Sequence, residues 1–244
     1  MNKPNTELPL NIRRLEALHR RTPKSHSKRA QMQADLARRY AGFRGEQNVK
    51  YHLRRLDNKH YYILHDIRLR YQTMYFQIDT LILSKEFILI AEVKNISGTL
   101  FFDTVFNQMI RKTEDKEEGF RSPLAQVQYQ QELLYRLFQQ NNLPSLPIES
   151  LIVISLPSTI IKTDTADKEI TSKIVHAEDL IDRIGYLCEQ YLQASSKIPP
   201  SLKEIGETIK HANIPKQTDI LAQYDVTKEA LLSGDPVRSV ILFL

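Results

Sequence analysis

Three charged residues, Asp79, Glu92 and Lys94, interrupt an otherwise apolar stretch, Phe76–Asn95 (FQIDTLILSKEFILIAEVKN). Two apolar runs, Phe76–Leu83 and Phe87–Val93, flank the polar Ser84-Lys85-Glu86, and their length and composition predict a β-hairpin. Side chains alternate along a strand, so Glu92 and Lys94 share a face, about 7 Å apart. A turn centred on Lys85–Glu86 pairs Leu83 with Ile88, and the same register sets Asp79 opposite Glu92. Cross-strand partners lie about 5 Å apart, where like charges repel. Something positive must join the two carboxylates: Lys94, or a divalent cation. A hard ion such as Mg²⁺ takes one or two carboxylates and completes its shell with water and substrate phosphate. Acid, then acid-x-lysine on the next strand, can therefore support metal-assisted phosphodiester cleavage. Glu-Val-Lys is more often a solvated strand face with an incidental ion pair. Asp79 in register and the apolar flanks favour the site.

The elements that carry these residues follow from the patterning along the chain. Met1–Pro9 reads as a loosely held tail and Leu10–Arg21 as a short basic amphipathic stretch. Its arginines could reach a phosphate backbone, but a solvated helix face is the preferred reading. Ser25 or Ser27 caps a longer helix to about Leu56, in which Leu36, Tyr40, Phe43, Val49, Leu53 and Leu56 recur near helical spacing. Gly42 and Gly45 lie inside it. Each costs about 1 kcal/mol there, so they mark either a close approach to another backbone or a break.

Tyr61–Leu69 reads as the first strand. After the hairpin come a short strand at Gly98–Phe102, then Asn107–Lys112 and the charged, exposed loop TEDKEEG. Ser122-Pro123 opens a helix to Asn142, with Leu124, Val127, Gln131, Leu134, Tyr135, Leu137 and Phe138 as its buried stripe. Gln126 and Gln130 lie one turn apart on a shared face. Ile148–Leu156 is an apolar strand of the kind covered on both faces. Lys162–Lys173 reads as a polar loop, Ile174–Val175 as a short strand, and His176 to about Gln193 as a helix. After Pro199-Pro200 a helix is expected at Ser201–Ala212 and another at Gln217–Leu232. The apolar end, PVRSVILFL, receives no role.

The 244 residues suffice for one large domain with appendages. A net charge of +5 permits a polyanionic partner without demanding one. The single cysteine, Cys188, excludes an intrachain disulfide and a cysteine zinc ribbon, which fits a reducing compartment. No apolar run approaches the roughly 18 residues of a membrane span, and the polar start lacks a signal-peptide core. A cytoplasmic protein with no membrane partner is expected. The histidines show no metal-ligand spacing, and neither a Gly-rich phosphate loop nor a Gly-x-Ser-x-Gly elbow is present.

Taken together, Gly42-x-x-Gly45-Glu46, Gln77-Ile78-Asp79, Ala91-Glu92-Val93-Lys94-Asn95, Gly98 and Ser122-Pro123-x-x-Gln126 resemble the nuclease-related domain (NERD) family of the PD-(D/E)xK nuclease superfamily. The resemblance covers about Gly42 to Leu156. It implies an α/β, restriction-endonuclease-like fold, a mixed sheet flanked by helices in αβββαβ order. Ile78 stands where the superfamily's namesake proline would be. By the same resemblance Asp79, Glu92 and the Val93 carbonyl would hold Mg²⁺ or Mn²⁺, and Lys94 would orient or help deprotonate the attacking water. Glu46 would be a further or water-mediated ligand, and Gln126 would hold Lys94 or the water in place. Arg44, Lys50 and Asn95 are the expected nucleic-acid contacts.

The expected organisation is a helical extension over 1–40, the core over 41–156 and a helical region over 157–244. The expected activity is metal-dependent hydrolysis of nucleic acid, DNA before RNA. The alternatives are a nucleic-acid-binding or interaction module that keeps the fold without efficient cleavage, and a structural protein with a static ion-pair network. Oligomeric state is left open by the sequence.

Overall fold

The computed structural model describes residues 7–192 and 201–232. PVRSVILFL, most of the N-terminal tail and Pro199-Pro200 lie outside them. In order the elements are α1 (Leu10–Arg21), α2 (Arg29–Leu53), β1 (Tyr62–Tyr71), β2 (Met74–Leu83), β3 (Ile88–Lys94), β4 (Thr99–Asp103), β5 (Gln108–Lys112) and β6 (Glu117–Arg121). There follow α3 (Pro123–Gln140), β7 (Ile148–Ile154), β8 (Ile160–Thr163), α4 (Lys168–Thr171), β9 (Ile174–His176), α5 (Leu180–Tyr191), α6 (Leu202–His211) and α7 (Ile220–Gln223).

The chain divides into two compact units. One comprises Met1–Phe43 with Lys216–Leu244, the other Arg44–Pro215. In the first, Ile12, Leu15 and Leu18 of α1 bury against Met32, Leu36, Ile220 and Tyr224. The Tyr224 hydroxyl donates to Asp35 at 2.7 Å, so a fully buried ring keeps its polar end satisfied.

The second unit is built on a five-stranded sheet in the order β1-β2-β3-β7-β9. β1, β2 and β3 are antiparallel neighbours, whereas β7 runs parallel to β3 and β9 parallel to β7. β3 and β7 are apolar almost throughout because helices cover both faces. On one face Leu133, Leu134 and Phe138 of α3 and Ile205 and Ile209 of α6 pack on Leu64, Leu69, Ile78, Leu83 and Ile90. On the other, Val49 and Leu53 of α2 and Leu180, Ile184 and Leu187 of α5 cover Ile82, Leu89, Ala91 and Val153. The sequence α2-β1-β2-β3-α3-β7 is the αβββαβ order of a restriction-endonuclease-like fold. A second sheet, β6-β5-β4-β8, is inserted around it.

Several local expectations change. α2 passes through Gly42 and Gly45 unbroken. On α3, Leu133 is buried while Tyr135 is half exposed, because the covered stripe follows Val127, Gln130, Leu134 and Phe138. Half of the charged loop after Lys112 pairs with β5 as β6. β8 falls where a strand was not expected, and the helix read over Gln217–Leu232 is a single turn at Ile220–Gln223. No helix among the described residues is long and apolar enough to cross a membrane.

Candidate active site

The predicted hairpin register holds: Leu83 pairs with Ile88, and the ladder runs on to Thr80 and Ala91. There it stops. Along β1–β2 the pairs His65↔Thr80 and Ile67↔Ile78 leave Asp66 and Asp79 between them, and Asp66 adopts a left-handed φ of 51°. The alternation of side chains breaks at this point. Ile78 and Leu81, three residues apart, enter the same cluster, as do Leu64 and Ile67. A regular strand would put the members of each pair on opposite faces. Where β2 leaves β3, the Val93 N–H donates to the Asp79 carboxylate at 2.9 Å. A strand residue's C=O leaves by the same edge as its N–H, so the Val93 carbonyl also faces the gap beside Asp79.

Glu92 and Lys94 occupy the face that α3 covers. Ser122 caps this helix, accepting from Ala125 N–H, and Pro123 opens its first turn. Lys94 Nζ donates to Glu92 Oε1 at 2.7 Å and to Gln126 Oε1 at 3.3 Å. One turn further on, Gln130 Nε2 donates to Glu92 Oε2 at 3.2 Å and to the Gln77 carbonyl at 2.8 Å. Glu92 is 5 % exposed, and a buried carboxylate needs such donors on both oxygens.

Glu46 comes from α2. The preceding Gly45 is where this helix touches the ends of β3 and β7. A Cβ there would meet the Asn95 Cβ at 2.6 Å and the Ser155 Oγ at 2.9 Å. Asn48 Nδ2 donates to the Ser155 carbonyl at 2.6 Å, fastening the helix at that distance. Of the two readings left open, close approach holds at Gly45, whereas a Cβ at Gly42 would meet nothing within 4 Å, and the helix breaks at neither. Burial raises the Glu46 pKa, Lys50 opposes the shift, and Asp66 and Glu92 add to it. Burial likewise pushes Asp79 up to about 7, with Glu92 and then Glu46 contributing, against the Val93 N–H and Lys94. Glu46 thus lies within electrostatic reach of Asp66, Asp79 and Glu92, and Asp79 within reach of Glu92.

Of the expected nucleic-acid contacts, Arg44 is exposed on α2 and Lys50 is half-buried one turn beyond Glu46. Asn95 accepts from the Ser155 hydroxyl at 2.7 Å. Two residues escaped sequence reasoning. Gln130 gave only its spacing from Gln126 as a signal. Asp66, which accepts from Gln77 Nε2 at 2.7 Å, gave only a charge within an apolar run.

Residues 41–155 match the family model of the nuclease-related domain. This segment is a nuclease-related domain. Neither a curated protein nor a solved structure matches the chain significantly. The matched segment of the nuclease-related domain holds Glu46, Asp79, Glu92, Lys94 and Gln126, together with Asp66 and Gln130. Its placement in the PD-(D/E)xK superfamily is consistent with the observed order of elements.

The donor set of this nuclease-related domain restricts which ion it could take. Among the described residues no group of three or more His, Cys, Asp or Glu side chains is placed to hold a metal. Two carboxylates and a backbone carbonyl are all-oxygen and few. That suits Mg²⁺ or Mn²⁺, which keep several waters, better than an ion needing a full protein cage.

Proposed function

We propose that this chain hydrolyses phosphodiester bonds in DNA with the help of Mg²⁺ or Mn²⁺. The single observation that carries the proposal is that Asp79 accepts from the Val93 N–H, next to Glu92, where β2 and β3 part, with Lys94 held between Glu92 and Gln126.

Asp79, Glu92 and the Val93 carbonyl would hold the ion, with Glu46 taking a further or water-mediated place. When bound, the ion supplies positive charge at a phosphate oxygen and makes a bound water more acidic. Lys94 Nζ carries hydrogens that can turn from Glu92 to the attacking water or to a phosphate oxygen, offsetting charge as the phosphorus becomes five-coordinate. Gln126 keeps that amine in place. Water forms the new P–O bond, the bond to the sugar oxygen breaks, and a proton passes to the departing oxygen. Arg44, Lys50 and Asn95 would contact the strand from α2 and the end of β3.

Purified protein incubated with linear, circular and single-stranded DNA, and with RNA, in Mg²⁺, Mn²⁺ or EDTA tests the reading. Cleavage that needs the metal supports it. Binding that survives EDTA with no substrate cut in any metal would instead establish the non-cleaving binding module.

A further inference from the structure

Gln130 is 3 % exposed on a helix face otherwise lined by Val127, Leu133, Leu134 and Phe138. Its Nε2 reaches two acceptors, the Gln77 carbonyl at 2.8 Å and Glu92 Oε2 at 3.2 Å. Reversing the amide would aim its oxygen at both of them, so its orientation is fixed. Its own Oε1 is buried with no hydrogen-bond partner. An orphaned buried acceptor costs about 1–3 kcal/mol, so what the glutamine contributes here lies in the two bonds that its Nε2 donates.

The two acceptors show what that is. Gln77 lies two residues before Asp79, on the stretch of β2 beyond the last ladder pair with β3, Thr80↔Ala91. Glu92 lies on β3 just past the same pair. Gln130 therefore bridges the two strands where their own hydrogen bonds have ended. Glu92 Oε1 is held by Lys94, so Gln130 on Oε2 completes the fixing of the carboxylate plane.

We propose that Gln130 is a positioning residue: it sets the separation of Asp79 and Glu92 and the orientation of Glu92, and so tunes their affinity for a divalent cation. This rests on the nuclease reading above. Donors to metal-binding carboxylates are commonly worth about 10–100-fold in metal affinity or activity.

The test uses the full chain with Gln130→Met, which nearly conserves volume and removes the donor, and with Gln130→Leu should methionine not pack. Three quantities are read: thermal unfolding in EDTA, Mn²⁺ affinity by calorimetry, and kcat and KM for DNA. The expected result is a somewhat lower unfolding temperature in EDTA, since Glu92 Oε2 and the Gln77 carbonyl lose a donor, and Mn²⁺ binding about 10–100-fold weaker. At fixed metal kcat falls, while KM for DNA is unchanged. A lower unfolding temperature with Mn²⁺ affinity unchanged, or loss of the fold in both variants, makes Gln130 a structural residue and overturns the proposal. If the wild type binds Mn²⁺ and cleaves, and the variants match it, only the role of Gln130 falls. If the wild type neither binds Mn²⁺ nor cleaves, the nuclease reading fails and takes this proposal with it.

Discussion

The Val93 N–H, the next β3 donor beyond the pair Thr80↔Ala91, is given to the carboxylate of Asp79 at 2.9 Å. One side chain thus takes the place of a strand partner at the point where the hairpin opens. The opening leaves the Asp79 carboxylate, rather than a β2 carbonyl, against the β3 edge next to Glu92.

Lys94→Ala removes the amine that Glu92 and Gln126 hold. Cleavage is expected to fall by about 10²–10³-fold, the range for removing one group that stabilises developing charge, with circular dichroism unchanged. Wild-type kcat in Lys94→Ala would refute the role.

Asp79 has a folded pKa of about 7 against roughly 3.9 for an unfolded aspartate. Between these values the folded chain holds a proton that the unfolded chain has lost. In metal-free protein Asp79 should therefore contribute a loss of stability as pH rises from about 4 to 7. Asp79→Asn should abolish that decline and unfold at a higher temperature at pH 8, by about 2–4 °C per kcal/mol of repulsion relieved. Saturating Mg²⁺ should reverse the ranking, because only the wild type gains from the ion. Thermal scans from pH 4 to 8, with EDTA and with Mg²⁺, measure both effects.

His65 should act with the opposite sign. Burial, with Lys50 nearby, lowers its pKa to about 4, below the 6.5 or so of an unfolded histidine. The unfolded chain then binds the extra proton, and stability rises as pH climbs from about 4 to 6.5. In Asp79→Asn this rise should show more clearly, no longer offset by Asp79. His65→Gln, which keeps a partner for the Thr80 hydroxyl 3.1 Å from Nδ1, should flatten it.

Two glycine substitutions separate position from stability. Gly206→Ala drives a Cβ to within 2.3 Å of the Tyr62 ring. It should cost about 1–3 kcal/mol as overpacking does, lowering the denaturation midpoint while leaving Mn²⁺ affinity intact. Gly45→Ala meets Asn95 and Ser155 instead and shifts the backbone next to Glu46. It should lower both stability and cleavage, and cleavage equal to wild type at a temperature where the variant is fully folded would remove Glu46 from the site.

How much of this was legible follows from the range of each interaction. The Leu83–Ile88 register could be read because a tight turn fixes pairing within a few residues, whereas the expected pair of Asp79 with Glu92 is not formed, the ladder ending at Thr80↔Ala91. The start of α3 could be read from Ser122-Pro123, whose chemistry is local. The break at Asp66 and Asp79 could not, since nothing in HDI or IDT announces a left-handed residue. Gln130 looked like any polar helix residue, because its burial depends on how α3 turns against strands over 35 residues away in sequence. Tyr135 and Leu133 exchanged places for the same reason. β8 was read as loop because IIKT becomes a strand only by pairing with β4, some 60 residues earlier.

Gln126 and Gln130 reach their partners from successive turns of a helix whose beginning is fixed at Ser122-Pro123. An α-helix turns 100° per residue. One residue added or removed between Pro123 and Gln130 would swing a glutamine away from Glu92 and bring an aliphatic or solvent-facing side chain round in its place. One added at the tip between β5 and β6 would only lengthen a connection. Tolerance to insertion should therefore change sharply within a dozen residues of chain, and a scan of single-residue insertions from Thr113 to Gln131 would show the step at the helix cap.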